Sequence, residues 1–182
     1  IWKLASRAMA YSHPALKTQI AGITIESPIG LAAGYDKNFE FLPTLSSLGF
    51  GYVTGGTVTQ KPQMGNPRPR VVRYTQDESL VNAYGFPSKG IVYAARQLSS
   101  LQENSTKPVI ASISGLTIDE IVKCQRKLEH FVSAVEVNIS SPNTAGLKMF
   151  HDPIVLCELL KALNTHRTKP LFIKMPPFPS RF

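Results

Sequence analysis

Short apolar runs and amphipathic stretches take turns along most of the chain. Pro28–Ala33, Tyr52–Gly55, Pro108–Ile113, Ala134–Ile139 and Leu171–Lys174 are brief and largely apolar, the pattern of strands buried on both faces. Between them, Asn38–Leu48, Ser88–Leu101, Thr117–His130 and Asp152–Thr165 space their apolar residues as helices do. Thr117 followed by Glu120 spells a capping box. Asp152 ahead of Pro153 supplies a cap and a first-turn proline. Pro43 weakens the first of these helices. Ahead of the rhythm, Ile1–Tyr11 gathers Ile1, Leu4, Ala5, Ala8 and Met9 on one helical face and ends at His13-Pro14. The alternation in TQIAGITIESP predicts a small hairpin or edge strand, and the chain after Gly55 reads as a long loop to about Pro87.

Apolar strands alternating with amphipathic helices imply an α/β fold with a parallel sheet. Such a sheet is either doubly wound or closed into a (β/α)8 TIM barrel. Gly49, Gly51 and Gly55 have the wrong spacing for a dinucleotide fingerprint. Polar residues recur at the strand ends instead: Asp36-Lys37, Thr57, Ser112, Asn138 with Ser140-Ser141, and Lys174. Barrel enzymes collect their sites at those ends, and the barrel is the expected architecture. A complete barrel takes about 250 residues. Only about the first five β/α units fit in the 182 residues here.

Composition narrows the function classes. With 43% hydrophobic and 18% charged residues the chain is globular, neither collagen-like nor disordered. No stretch reaches the ~18–20 unbroken apolar residues of a membrane span. Cys124 and Cys157 belong to no CxxC or Cys/His cluster, so neither a disulfide framework nor a metal site is expected. The net charge of +8 is unevenly spread: Phe41–Gln76 holds no acidic residue but contains Lys61, Arg68, Arg70 and Arg73. These cations alternate with Pro and Gly, and no nucleic-acid-binding signature accompanies them. A solvated basic loop and an anion- or membrane-facing surface both fit.

Three segments carry candidate chemistry. In GLAAGYDKN (Gly30–Asn38), small residues at a strand end let a flat ligand approach the backbone, and Lys37 offers a cation. GTVTQKPQMGNPRPR and VNAYGFPSKG set Asn82, Tyr84, Gly85 and Phe86 in a long loop, where binding residues concentrate. VNISSPNTAGLK (Val137–Lys148) offers two carboxamides, two serines and a threonine directly after a buried strand. Asn138 and Asn143 each donate and accept, which suits a planar ring of C=O and N–H groups. A turn stabilised by Asn and Ser side chains is the plainer reading of the same residues.

In order, these segments resemble dihydroorotate dehydrogenase from about Thr18 to Lys174. The resemblance implies a barrel with FMN at its mouth, oxidising dihydroorotate to orotate in pyrimidine biosynthesis. Ser141 in SSPNT matches the serine base of the membrane-associated, quinone-reducing class; the soluble class has cysteine. The resemblance assigns substrate binding to Lys37, Asn82, Tyr84, Gly85, Phe86, Asn138 and Asn143. Flavin contacts fall to Ala32, Ala33, Gly34, Thr57, Asn82, Asn138 and Lys174. Phe86 and Thr144 flank the base as a proton relay, and Arg73 stands on the quinone side. Residues 1–17 then correspond to a helical remnant of a membrane-docking extension and 18–182 to the N-terminal part of the FMN-binding barrel.

Peripheral attachment to a bacterial cytoplasmic or mitochondrial inner membrane, no nucleic acid, and a monomer when complete are implied. Several residues depart from the family pattern. Ser112 replaces a common asparagine, Pro87 a polar residue, and Met175–Phe178 keep only the proline at 177. The phosphate-binding loops are expected beyond Phe182, so these residues alone are expected neither to close a barrel nor to hold FMN well. A related flavin oxidoreductase with a soluble acceptor and a non-catalytic half-barrel are the alternatives.

Overall fold

A computed structural model describes residues 11–101 and 107–177. The expected helix Ile1–Tyr11 therefore falls almost wholly outside the described residues. The strands are β1 (Thr18–Ile20), β2 (Ile23–Ile25), β3 (Val53–Val58), β4 (Val71–Tyr74), β5 (Ser79–Asn82), β6 (Val109–Ile113), β7 (Ala134–Asn138) and β8 (Leu171–Lys174). The α-helices are α1 (Leu42–Ser46), α2 (Ile91–Leu101), α3 (Ile118–Leu128) and α4 (Pro153–Asn164), with 3₁₀ turns at Pro14–Leu16, Glu129–Phe131 and Leu147–His151.

Strands β3, β6, β7 and β8 lie side by side in that order, all parallel, with helices in the crossovers. This is the partial barrel that the strand–helix rhythm implies. Period-two alternation divides each strand between two environments. Val109, Ala111 and Ile113 of β6 and Val135 and Val137 of β7 join one core with Leu98, Ile121, Leu128, Leu159 and Leu163 of the helices. Fully burying side chains of that size contributes about 1.5–3 kcal/mol each. The other face carries Ser112, Glu136 and Asn138, at the end of the sheet where the site forms.

Both predicted caps are present. Thr117 Oγ1 accepts from the Glu120 amide while the Glu120 carboxylate accepts from the Thr117 amide. Asp152 accepts from the amides of Ile154 and Val155. Cys124 is buried on α3, where desolvation and then the Glu120 charge push its thiol up to about 12, and Cys157 is exposed on α4.

Three expectations need correction. The helix over Asn38–Leu48 shrinks to α1, because the Asp36 carboxylate takes the amides of Glu40 and Phe41 at 2.8 and 2.7 Å. Phe39 also sits at φ 62°, outside helical geometry. The strand over Pro28–Ala33 reduces to a single parallel bridge from Leu31 to Val53, anchored by the Leu31 amide on Tyr52 O and the Thr54 amide on Leu31 O. Gly34, at φ 123°, turns the chain away and gives its amide to Gly56 O. The segment still borders β3 as a fifth parallel member, but without a regular ladder.

The long loop, finally, contains the antiparallel hairpin β4–β5, Val71 facing Asn82 and Tyr74 facing Ser79. Among the described residues it pairs with no other strand, so its residues carry no one-sided burial pattern to be read. The hairpin β1–β2 has its turn at Ala21-Gly22, beside the segment Arg167–Leu171 that leads into β8. It therefore lies at the opposite end of the sheet from the site.

Phe39 is fully buried and lies against Gly55 of β3, where an added Cβ would come within 2.3 Å of its ring. Gly55→Ala is therefore expected to destabilise the fold by about 1–3 kcal/mol through overpacking. Denaturant unfolding of the single variant, and of its combination with Phe39→Leu to open space, checks this.

Candidate functional site at the ends of the parallel strands

A cavity of about 500 Å³ opens beyond the C-terminal ends of the strands. Its floor is Ala33, Gly34, Thr57 and Asn138; the inner face of the β4–β5 hairpin overlooks it with Val71, Arg73, Leu80 and Asn82. Lys37, the turn Tyr84–Phe86, Ser141 and Asn143 complete the wall. Segments far apart in sequence, each singled out for its chemistry, thus converge on one space. Ala32 is exposed and does not line it, and Lys174 stands on β8 in register with Asn138. Thr144 lines a smaller cavity of about 90 Å³ that shares Phe86 with the first.

The floor is polar and fixed. Asn138, at the end of β7, donates from Nδ2 to Thr57 Oγ1 at 3.0 Å. Its Oδ1 accepts from the Ser140 amide at 3.1 Å and the Ser140 hydroxyl at 2.8 Å. Ser141 follows, half-buried, with its Oγ 3.4 Å from Thr144 Oγ1 and 3.3 Å from the Asn143 amide that donates to it. Past this loop, His151 Nε2 donates to Ile139 O at 2.7 Å and ties the Leu147–His151 turn back to the strand end.

Three asparagines brace the two loops across the cavity. Asn66 Nδ2 donates to Asn143 O, and Asn143 Nδ2 to Asn82 O, each at 3.1 Å. The Asn66 amide donates to Tyr84 O at 3.0 Å. Gln63 Nε2 donates to the carbonyls of Gly85 and Phe86, and Arg70 Nη1 to those of Met64 and Asn66. Gly85, at φ 65°, permits this turn, and an added Cβ would sit 2.6 Å from Asn66 Oδ1. Sequence reasoning missed Gln63, Asn66 and Arg70 as site-forming residues. The signal was there: side chains rich in donors inside a Pro/Gly-rich stretch, which needs such groups to hold one shape.

Electrostatically the site favours an anion. Lys37 Nζ lies 4.5 Å from the centroid of the Tyr84 ring, with the Arg70 guanidinium 5.6 Å from the same ring. Burial, and after it the nearby Arg70 charge, lowers the Lys37 pKa. Among the described residues no carboxylate pairs with either cation. The floor also suits a flat ligand: a Cβ built on Gly34 would meet nothing within 4 Å, so the backbone there is open to the cavity.

Comparison with known proteins places the chain in a family. The family model described as dihydroorotate dehydrogenase matches residues 15–180. A protein named dihydroorotate dehydrogenase (quinone) from Thermus thermophilus is 36% identical over 183 residues, covering 96% of this chain and 53% of that protein. A namesake from Rhizobium etli is 39% identical over 176 residues, covering 90% of this chain and 49% of its own. The chain thus spans about half the length of these curated relatives. The crystal structure of the Eimeria tenella enzyme in complex with ferulenol superposes with a TM-score of 0.83 at 27% identity, covering 96% of this chain and 57% of that one.

Asn66→Ala removes a donor that joins the two loops and is expected to raise hydrogen exchange in residues 82–86 and 141–144. Exchange in β6 and β7, which rests on the core, should stay unchanged when measured by mass spectrometry.

Proposed function

The chain belongs to the dihydroorotate dehydrogenase family, and from that premise we propose that the cavity serves the oxidation of dihydroorotate to orotate. FMN is the proposed hydride acceptor and a quinone the final electron acceptor, within pyrimidine biosynthesis. The observation that carries this reading is the convergence of Lys37, Asn138, Ser141 and Asn143 on one cavity with a small-residue floor.

The residues present fit FMN on chemical grounds. A ring needs a flat approach, which Ala33 and Gly34 leave open, and polar partners at its edge, which Thr57, Asn82 and Asn138 offer. Ala32 and Lys174 complete the proposed flavin set, Lys174 as a cation beside the ring. When bound, FMN supplies the acceptor for the hydride that leaves C6 of the substrate.

The remaining work falls to the chain's own residues. Ser141 takes the proton from C5. A serine hydroxyl is a weak base, so it needs a closed site and an onward path for the proton. Thr144 Oγ1, 3.4 Å away, is the proposed first step of that path. Phe86 and Thr144 both line the smaller cavity, which makes that space the proposed exit. Lys37 pairs with the substrate carboxylate. Asn82, Asn138 and Asn143, with the turn Tyr84-Gly85-Phe86, fix the ring's orientation.

Arg73 extends from β4 at the cavity edge, on the proposed quinone side. On this reading residues 1–17 belong to a membrane-docking extension and 18–182 to the barrel. Peripheral attachment to a bacterial cytoplasmic or mitochondrial inner membrane follows. Among the described residues no helix is long and apolar enough to cross a membrane.

In the full-length protein, Ser141→Ala should slow flavin reduction by dihydroorotate about 10²–10⁴-fold, the range of a lost general base, while FMN stays bound. Stopped-flow absorbance reads both, and an unchanged rate removes Ser141 from the mechanism. Orotate affinity should also depend on pH through Lys37. The ammonium form binds the anion, and its pKa lies below the ordinary 10.5, so affinity falls as pH rises and does so before an ordinary lysine would titrate. Lys37→Met should weaken orotate binding about tenfold or more and remove this component of the pH dependence from the binding that remains, as read by titration calorimetry.

A further inference from the structure

Glu136 is the one acidic residue in the four-stranded parallel sheet, and it lies on the face turned away from the helices. It accepts from the Ser112 hydroxyl at 2.7 Å. Ser112 Oγ lies 3.0 Å from Thr57 Oγ1, which in turn accepts from Asn138 Nδ2 at 3.0 Å. The three inner members are buried, with Ser112 at 0%, Thr57 at 5% and Asn138 at 6% exposure, the last two reaching the cavity floor.

Proton counting gives this chain a direction. A carboxylate only accepts, and each hydroxyl has a single hydrogen to give. The Ser112 hydrogen is committed to Glu136, so the hydrogen between Ser112 and Thr57 comes from Thr57. Thr57 then has no hydrogen left for the cavity it lines and can meet a ligand only as an acceptor. Asn138 has its Oδ1 filled by the amide and hydroxyl of Ser140, so it can offer the cavity only its second N–H.

We propose that Glu136 is a positioning residue: through Ser112 it sets the direction of the Thr57 hydroxyl, so that the floor presents an acceptor at Thr57 and a donor at Asn138. That pair complements a ring edge where an N–H adjoins a carbonyl, an edge that the flavin ring carries. The inference deepens the reading that the cavity holds FMN and rests on it for the ligand alone. Without Glu136, Ser112 is free to donate to Thr57, whose hydrogen then turns toward the ring and opposes its N–H. A donor facing a donor in a buried site forfeits a hydrogen bond and leaves both groups unsatisfied.

The test uses the full-length protein, deflavinated and titrated with FMN. Glu136→Leu is expected to raise the FMN Kd about tenfold, the effect of one lost buried hydrogen bond. Glu136→Gln keeps an accepting oxygen and should stay within about threefold of the unsubstituted protein. Ser112→Ala cuts the same chain and should match Glu136→Leu, and the double variant should bind no more weakly than either single one. Additive losses, or an unchanged Kd in Glu136→Leu, overturn the proposal.

A second readout needs no flavin. Buried, hydrogen-bonded hydroxyl protons exchange slowly, so Ser112 and Thr57 should give observable hydroxyl resonances by NMR. In Glu136→Leu the Ser112 signal should shift as its hydrogen passes to Thr57, and the Thr57 signal should vanish as its hydrogen turns to the open cavity. An unchanged pair of signals overturns the proposal. Failure of the unsubstituted protein to take up FMN counts against the functional reading, while the hydroxyl signals still decide the role of Glu136.

Discussion

Two carboxamide bonds, from Asn66 to the carbonyl of Asn143 and from Asn143 to the carbonyl of Asn82, hold the walls of the cavity at a fixed separation. The segments they join have little core of their own: residues 61–87 are mostly exposed, and residues 140–146 only half-buried or exposed. Each such bond contributes about 0.5–1.5 kcal/mol net. Their value lies in where they act. The Asn66 backbone amide holds the Tyr84 carbonyl, with the Tyr84 ring beside Lys37, and Ser141 receives the amide of the same Asn143 whose side chain reaches Asn82. Release of the Asn143 side chain would loosen the loop of the candidate base and the hairpin together.

Beneath this brace the parallel sheet separates two tasks by alternation. Val135 and Val137 serve the helix-side core, while Glu136 and Asn138 between and after them serve the other face. The same division places Ala111 and Ile113 on one side and Ser112 on the other. A polar network on one face of a strand leaves the apolar packing on the opposite face untouched. This is how one short strand can hold a half-buried carboxylate and still belong to a continuous core.

Much of this was legible in the chain itself. The β6, β7 and β8 strands showed as apolar runs, and the caps at Thr117 and Asp152 as local chemistry that needs no tertiary information. Of the residues singled out, Thr57 and Asn138 meet because strand ends in a parallel sheet converge, whereas Lys37, Tyr84 and Asn143 reach the same cavity on loops, and Ala32 stays outside it. The illegible parts depended on long-range partners. Asn38–Leu48 carried a helical pattern, but Asp36 captured two amides and Phe39 turned inward to meet Gly55. The β4–β5 hairpin hid because exposure on both faces erases the alternation that marks a strand. Glu136 had a visible sign, a charge inside AVEVNI, but its meaning needed Ser112 and Thr57, which come from other strands.

That hairpin has one face over the cavity and another, with Val72, Tyr74 and Val81, open to solvent. It is attached at its feet and not along its length, since neither strand pairs with the sheet. A ribbon held this way owes its position to a few bonds, Asn143 Nδ2 to Asn82 O and the Ala83 amide to Arg70 O among them, and not to the core. Wall and core are therefore separate quantities in this fold. Substitutions in the hairpin can reshape the wall of the cavity while the packing beneath stays where it was.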